Sequence, residues 1–266
     1  MDEHARSYYE DDHELGRLAG PCWLELARTK ELLSRILPAA PARVLDVGGG
    51  PGVYAEWLGG LGYEVYLVDP IALHVEEALA RSGSGRVTAA LGDARTLSEA
   101  DGSVDAVLLL GPLYHLTERQ DRLSALREAH RVLRSGGVLA AGAISRFASL
   151  LDGIARKRMS DAAFAAIVDR DLRDGQHRNP DGVPGWFTTA YFHRPEELAD
   201  EIAEAGLDVD AVYGVEGVTA WLSAPADELE QAERETLAAA ARAIEREPAL
   251  IAASPHLLGI ARKRSE

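Results

Sequence analysis

The sequence has few of the features that mark secreted, membrane-spanning or nucleic-acid-binding proteins. Its 266 residues include one cysteine, Cys22, so no internal disulfide can form and a reducing compartment is expected. Lysine and arginine number 28 against 43 aspartates and glutamates, which argues against a nucleic-acid partner because phosphates bind to cationic surfaces. No apolar run approaches the ~18 residues of a membrane span, and the acidic N-terminus is unlike a secretory signal. A cytoplasmic protein without nucleic-acid or membrane partners is predicted.

The composition is otherwise that of a globular protein. Hydrophobic residues make up 47% and charged residues 27% of the chain, so we expect one large domain or a domain with an insertion. The eight histidines are scattered without the spacing of metal ligands, and no metal site is predicted. The sequence leaves open whether the protein forms a homodimer.

Short apolar runs alternate with helical patterns in the first half of the chain. The predicted strands are Arg43–Val47, Tyr63–Val68, Arg86–Leu91, Val104–Leu110 and Val138–Ile144. Helices are predicted at Val53–Leu61 and Ile71–Arg81, and a third after a capping-box pattern at Thr117–Gln120. Apolar strands that alternate with helices indicate a parallel sheet covered on both faces. The prediction is therefore an α/β fold with a doubly wound, mostly parallel sheet.

The segments around this sheet have different characters. The last part of the chain predicts strands at Leu207–Val215 and His256–Arg262, with a helix at Ala226–Glu245 between them. We predict four segments: N-terminal helices that form a lid at 1–40, the α/β core at 41–146, a helical and aromatic insertion after strand five at 147–193, and the C-terminal completion of the core at 194–266.

The sharpest motif is the loop after the first predicted strand, Asp46-Val-Gly48-Gly49-Gly50-Pro51-Gly52. Glycines at this place let the backbone approach a ligand, and the following helix offers free N–H groups. Asp69 ends the second strand, 21 residues after Gly48, where a carboxylate can accept hydrogen bonds from both hydroxyls of a ribose. The pattern predicts a cofactor that contains a nucleoside, and a tight turn with a solvated aspartate is the alternative.

Two features of the loop separate two classes of cofactor. A dinucleotide-binding loop needs a third glycine at the position that Val53 occupies. The carboxylate of Asp46 would be repelled by a pyrophosphate and attracted by the ammonium group of a methionine. S-adenosylmethionine is therefore favoured over NAD. An NAD-dependent oxidoreductase is one alternative, and a non-catalytic protein that binds S-adenosylmethionine is another.

Five motifs make a family resemblance plain: VLDVGGGPG, YLVDP, LGDAR, VDAVLLLGPLYHL and REAHRVLRSGGVLAAGAIS. They resemble those of class I S-adenosylmethionine-dependent methyltransferases of the small-molecule, natural-product type. The resemblance implies a Rossmann-like methyltransferase fold whose last strands pair antiparallel, and methyl transfer to a small organic acceptor, with an aromatic, indole-type or diketopiperazine-type compound as a candidate. It also implies that the cofactor is bound by Asp46, Gly48, Gly50, Gly52, Asp69, Pro70, Asp93, Ala94, Leu110 and Gly111.

Candidate residues for the acceptor lie in two places. Tyr114 and His115 follow the fourth strand and are candidates for orienting or deprotonating the acceptor, although packing is the alternative for His115. The insertion is expected to cover the substrate, and its aromatic cluster can wall a flat acceptor or form the insertion's own core. The cluster residues singled out for substrate binding are Trp186, Phe187, Tyr191 and His193.

Three further predictions have structural alternatives. Asp93 can accept from the amino group of adenine or cap a helix. Arg17 can pair with the carboxylate of the cofactor or with a neighbouring acidic residue. Tyr8 and Tyr9 can fold over the site or pack on the core. Whether nitrogen, oxygen or carbon is methylated is left open.

Overall fold

The computed structural model describes residues 22–83, 85–222, 224 and 226–264. The predictions for Tyr8, Tyr9 and Arg17 lie outside the described residues, as does the part of the N-terminal segment before residue 22. Among the helices that are described, none combines the length and the apolar character needed to cross a membrane.

Helices and strands alternate along the described chain. The helices are α1 (Trp23–Ile36), α2 (Val53–Gly60), α3 (Ala72–Arg81), α4 (Pro112–His115), α5 (Arg119–Val132), α6 (Ala148–Ala155), α7 (Ala162–Asp174), α8 (Pro195–Glu204) and α9 (Gln231–Ile244). The strands are β1 (Arg43–Val47), β2 (Glu64–Asp69), β3 (Val87–Leu91), β4 (Val104–Leu109), β5 (Leu133–Ser145), β6 (Gln176–His177), β7 (Ala190–His193), β8 (Asp208–Gly214) and β9 (His256–Arg262).

Five parallel strands form the centre of the sheet in the order β3–β2–β1–β4–β5. Strand β9 adds antiparallel to β5, and β8 adds antiparallel to β9. The doubly wound, mostly parallel sheet predicted from the apolar runs is thereby confirmed, and so is the antiparallel pairing of the last two strands.

Helices cover both faces of this sheet, as the continuous apolar strands require. On one face Leu33 of α1, Leu58 of α2 and Ala78 of α3 pack in one hydrophobic cluster. On the other face Leu126 of α5 and Ile202 of α8 belong to a second cluster. The C-terminal ends of the parallel strands, between these two layers of helices, are accessible to a ligand.

The segment before β5 differs from the prediction in two details. Helix α5 begins at Arg119 without a side-chain cap, so the predicted capping box at Thr117–Gln120 is wrong. The carbonyl of Thr117 instead accepts hydrogen bonds from Arg122 (2.9 Å) and Gln176 (3.1 Å), which hold this turn in another conformation. Strand β5 begins at Leu133, before the predicted Val138, because Leu133 already pairs with Val104 of β4; the register then shifts between Val104 and Ala106.

The insertion contributes a strand to the sheet that the sequence did not predict. Strand β7 pairs parallel to the end of β5, with Phe192 opposite Ile144 and His193 opposite Ser145. The other edge of β5 is occupied at this level, because Ile144 also pairs with His256 of β9. Strand β7 therefore continues the line of β4, whose pairing with β5 ends at Ala141.

Candidate active site

A cavity of about 240 Å³ lies at the C-terminal ends of the parallel strands, where ligands bind in open α/β sheets. Tyr114 and His115, predicted to act on the acceptor, line it. Its wall also includes most of the residues predicted to bind the cofactor, namely Asp46, Gly48, Gly50, Asp69, Pro70, Asp93, Ala94, Leu110 and Gly111. The fold thus gathers the two predicted groups of residues around one space.

The loop between β1 and α2 depends on glycine. Gly48 and Gly50 have φ angles of +66° and +56°, which other residues rarely adopt. A Cβ at Gly48 would lie 2.6 Å from Cγ of Pro112, so this loop directly contacts the start of α4. Gly52 does not line the cavity; a Cβ there would lie 2.9 Å from Cβ of Ala78 on α3. The absence of a side chain at Gly52 thus allows close packing of α2 on α3, and its role in cofactor binding stays a prediction.

The carboxylate of Asp46 is buried, and its Oδ2 has no hydrogen-bond partner among the described residues. Burial, together with the negative charge of Asp69, raises the pKa of Asp46 to about 7. A buried carboxylate is costly unless a cation or a donor compensates it. The ammonium group of a methionine would supply both.

Asp69 ties the glycine loop to the end of β2. Its Oδ2 accepts from the backbone N–H of Gly50 (2.9 Å), and its Oδ1 accepts from the N–H of Ile71 (2.9 Å) and lies 3.1 Å from Nδ1 of His74. A carboxylate offers about four lone-pair sites, and these contacts use three. At least one lone-pair site therefore remains for a ligand hydroxyl, and the contact of Asp69 with the ribose stays a prediction.

Asp93 is held by a residue that also lines the cavity. Its carboxylate accepts hydrogen bonds from the backbone N–H of Arg95 (2.9 Å) and from the Arg95 guanidinium (2.7 and 2.9 Å), which also contacts Asp121 at 3.0 Å. The hydrogen bonds from Arg95 lower the pKa of Asp93, so the carboxylate is anionic. The hydrogen bond from the backbone N–H two residues later is similar to the one that a capping aspartate accepts. Asp93 nevertheless lines the cavity.

Helix α4 places Tyr114 and His115 beside the cavity, and an aromatic side chain from the insertion supports both. The ring of Phe187 lies 6.3 Å from that of Tyr114 and 6.1 Å from that of His115. Phe187 does not itself line the cavity. It therefore acts as packing for the two candidate residues.

The other aromatic residues predicted to bind the acceptor are packed away from the cavity. Trp186 lies edge-on to Phe164 of α7, with ring centroids 5.2 Å apart. The guanidinium of Arg122 lies over the ring of Tyr191, with its Cζ 3.7 Å from the ring centroid. His193 is fully buried, and burial lowers its pKa. None of the four predicted residues Trp186, Phe187, Tyr191 and His193 belongs to the cavity wall formed by the described residues. Of the two sequence-based alternatives, this geometry favours the insertion core.

Residues that the sequence analysis did not name complete the cavity, and they come from two regions of the chain. Glu25 and Thr29 reach it from α1, and Val215 and His256 reach it from the segments at β8 and β9. Their positions in the sequence are far apart, so no local spacing marks them. The pairing of β9 with β5 and the packing of α1 bring them together.

The sequence profile described as "Methyltransferase domain" matches residues 45–141 of this chain. An uncharacterized methyltransferase of Mycobacterium tuberculosis is 38% identical over 109 residues, which cover 41% of this chain and 42% of that protein. The chain thus spans less than half of this relative. The ubiquinone biosynthesis O-methyltransferase of Xanthomonas axonopodis pv. citri is 30% identical over 197 residues, 70% of either chain.

A solved structure shows the same fold. The crystal structure of an S-adenosylmethionine-dependent methyltransferase from Methanosarcina mazei superposes with a TM-score of 0.60 at 17% identity, over 88% of this chain and 98% of that one. The chain belongs to the class I S-adenosylmethionine-dependent methyltransferase family. This assignment overturns the alternative of an NAD-dependent oxidoreductase. The unpartnered oxygen of Asp46 and the glycine loop fit S-adenosylmethionine, the cofactor of the family.

Proposed function

We propose that this chain transfers a methyl group from S-adenosylmethionine to a small organic acceptor. The observation that carries the proposal is the buried Oδ2 of Asp46, without a partner among the described residues, in a cavity that extends to Tyr114 and His115. A cofactor with an ammonium group would neutralise Asp46 and leave the space beside α4 for the acceptor.

In this proposal each strand end has its own part. Asp46 after β1 binds the ammonium group, and Asp69 after β2 accepts from one ribose hydroxyl. Pro70 and Ala94 would lie against the adenine, and Asp93 would accept from its amino group. The backbone of Leu110 and Gly111 would meet the methionine end. When bound, the cofactor supplies an electrophilic methyl group on a sulfonium, and the protein's contribution is chiefly orientation.

The acceptor class follows from the cavity and from a relative. Tyr54 and Tyr114 line the cavity, as do apolar residues such as Val215 and Leu257, so an aromatic or largely apolar acceptor fits. The Xanthomonas relative is named as an O-methyltransferase, which supports an oxygen acceptor. A role in secondary metabolism and an indole-type acceptor rest on the sequence resemblance alone.

Cofactor binding is tested by calorimetry with S-adenosylhomocysteine, the product form of the cofactor. The wild-type chain should bind it, and a ligand that binds only the folded state should raise the melting temperature. NAD serves as the control and should do neither. A shift with NAD but not with S-adenosylhomocysteine would reverse the assignment.

Turnover separates an enzyme from a non-catalytic binder. The chain is incubated with S-adenosylmethionine and, separately, catechol, an aliphatic amine and indole, and S-adenosylhomocysteine is measured by mass spectrometry. Acceptor-dependent formation of S-adenosylhomocysteine identifies a methyltransferase, and fragmentation of the methylated acceptor identifies the atom that carries the new methyl group. Tight cofactor binding without product from a broad acceptor panel would identify a binding protein.

A further inference from the structure

A buried glutamate and a histidine form a closely hydrogen-bonded pair at the edge of the cavity. Oε1 of Glu216 lies 2.5 Å from Nδ1 of His256, and Oε2 accepts from Oγ of Ser254 (3.0 Å) and from the backbone N–H of His256 (3.3 Å). Glu216 is 3% exposed, whereas His256 lines the cavity. A second carboxylate that lines the cavity, from Glu25, lies 3.8 Å from the same Nδ1.

The pair lies on the opposite side of the cavity from the residues proposed to hold the nucleoside. His256 begins β9, which is separated from β1 and Asp46 by strands β4 and β5. Neighbouring strands are about 4.8 Å apart, so the three spacings from β1 to β9 amount to roughly 14 Å. Glu25 and His256 therefore face the part of the cavity that the cofactor residues do not occupy.

Buried contacts hold the pair in place. Arg28, one turn after Glu25 on α1, donates to the carbonyl of Val215 (3.3 Å), the residue before Glu216. The backbone N–H groups of Glu216 and Gly217 both donate to Oγ of Ser254 (3.1 Å each). These contacts connect α1, the end of β8 and the start of β9, so the two carboxylates and the imidazole are fixed relative to one another.

We propose that His256 is the base that accepts the proton of a hydroxyl acceptor, with Glu216 as its positioning residue. The carboxylate of Glu216 accepts from Nδ1–H, so the lone pair of the neutral ring is on Nε2. As the acceptor oxygen forms its bond to the methyl carbon, the carbon–sulfur bond breaks and its electron pair stays on sulfur. The O–H bond breaks in the same process, and its proton goes to Nε2.

The charges around His256 define the acceptor class. The charged groups that face the ring in the described structure include Glu216, from the segment after β8, and Glu25, from α1. Two carboxylates stabilise the imidazolium that forms on proton transfer and repel an acceptor that is itself a carboxylate. A neutral hydroxyl compound is therefore the substrate class. This inference rests on the proposed function, but its test does not require that the natural acceptor be known.

The deciding experiment measures deuterium exchange at the Cε1 carbon of each histidine by mass spectrometry, across pH, in the full chain with S-adenosylhomocysteine bound. This exchange follows protonation of the ring. His256 should titrate, with a midpoint at higher pH in the wild type than in Glu216→Gln, because the carboxylate stabilises the imidazolium. The midpoint of His130, which lies outside the cavity, should not move. A His256 that does not titrate, or that titrates identically in both proteins, overturns the proposal.

Turnover with catechol and benzoate as matched hydroxyl and carboxylate probes gives a second readout. His256→Asn keeps a donor toward Glu216 but removes the base, so catechol methylation should fall roughly 10²–10⁴-fold. Affinity for S-adenosylhomocysteine should stay unchanged, which shows that the variant folds and that the cofactor site is intact. Glu216→Gln should move the acid limb of the pH profile. Preferred methylation of benzoate, or full activity in His256→Asn with a large loss in His115→Asn, overturns the proposal and leaves the cofactor assignment standing.

Discussion

Asp46 holds its charge at a cost to the folded protein. The pKa of its carboxyl rises from 3.8 to about 7 because of burial and the charge of Asp69. The folded state therefore keeps a proton that the unfolded chain has released between these two pH values. The contribution of this group to the free energy of unfolding is present below the lower value and is lost as the pH rises through about 7. The loss is on the order of 4 kcal/mol at most.

Replacing Asp46 by asparagine should therefore stabilise the protein without its cofactor while weakening cofactor binding. At about pH 8 we expect a gain of roughly 2 kcal/mol in the free energy of unfolding, shrinking near pH 5, where the wild-type carboxyl is also neutral. The affinity for S-adenosylhomocysteine should fall by about 10-fold or more, since a hydrogen bond to a charged group contributes about 1.5–3 kcal/mol. Urea unfolding at both pH values and calorimetry measure the two effects.

The matched control is Asp101→Asn, because the side chain of Asp101 is 79% exposed. Neither its stability nor its cofactor affinity should change by more than about 0.5 kcal/mol. Equal stability of wild type and Asp46→Asn at both pH values would contradict the burial argument. Unchanged affinity would remove Asp46 from the ammonium site.

Single residues differ in how well the sequence predicts them. Asp46 could be placed at the cavity because a glycine loop follows it directly in the sequence. Glu216 and His256 could not, because they are 40 residues apart and meet only when β9 pairs between β5 and β8. The spacing of His256 from the other histidines carries no signal for the same reason. No local pattern records a contact that tertiary pairing creates.

The backbone just beyond the end of β4 passes close to Gly142 of β5. A Cβ at Gly142 of β5 would lie 2.7 Å from the carbonyl oxygen and 3.1 Å from Cα of Leu110. Both contacts are with backbone, which cannot turn aside as a side chain would. Leu110 lines the cavity and is proposed to face the methionine end of the cofactor. The missing side chain at Gly142 thus sets the position of that wall.

Gly142→Ala should push Leu110 out of place. We expect a loss of about 1–3 kcal/mol in stability, as in other overpacked sites, together with weaker binding of S-adenosylhomocysteine. Gly60→Ala is the control, since a Cβ at the end of α2 would meet nothing within 4 Å and alanine favours the helix. Thermal unfolding and calorimetry of both variants provide the comparison. Normal affinity in Gly142→Ala would mean that Leu110 has no part in the site.

The elements themselves were predictable where their patterns were long. Strands β1 to β5 follow from continuous apolar runs between glycine-rich turns, and the structure places them close to the predicted ranges. Strand β7 could not be predicted, because Ala190–His193 is only four residues long and lies within an aromatic run. Its pairing depends on where β4 ends, and that is a property of the sheet. The same pairing buries part of the aromatic cluster that the sequence predicted to bind the acceptor, because Tyr191 and His193 belong to β7.

An ionic network around the buried Arg28 joins α1 to the segment after α9. Arg28 of α1 is fully buried and forms ion pairs with Glu31 and with Glu245, which follows α9. Arg35 contacts Glu245 as well, at 2.8 Å, but its side chain is 41% exposed. The network links α1, which carries Glu25, to the C-terminal part of the fold.

Removal of the buried guanidinium should cost far more than removal of the exposed one. Arg28→Met leaves Glu245 short of a buried partner and should lower the free energy of unfolding by about 3 kcal/mol. Arg35→Met removes a half-exposed ion pair with the same glutamate and should cost about 1 kcal/mol or less. Urea unfolding of the two variants tests this order. Equal losses would show that burial does not set the strength of this network.

The position of β9 has a consequence for the order in which the protein can be built during its synthesis. The ribosome delivers the chain from its N-terminus, and early segments can fold first. The glycine loop, Asp69 and Asp93 all precede β5, so the cofactor wall can assemble while later residues are still being added. Strand β8 cannot join the sheet at this stage, because its pairing partner in the described structure is β9. The side of the cavity that contains His256 is therefore completed last, when residues 256–262 pair with β5 and β8, which have already been synthesised.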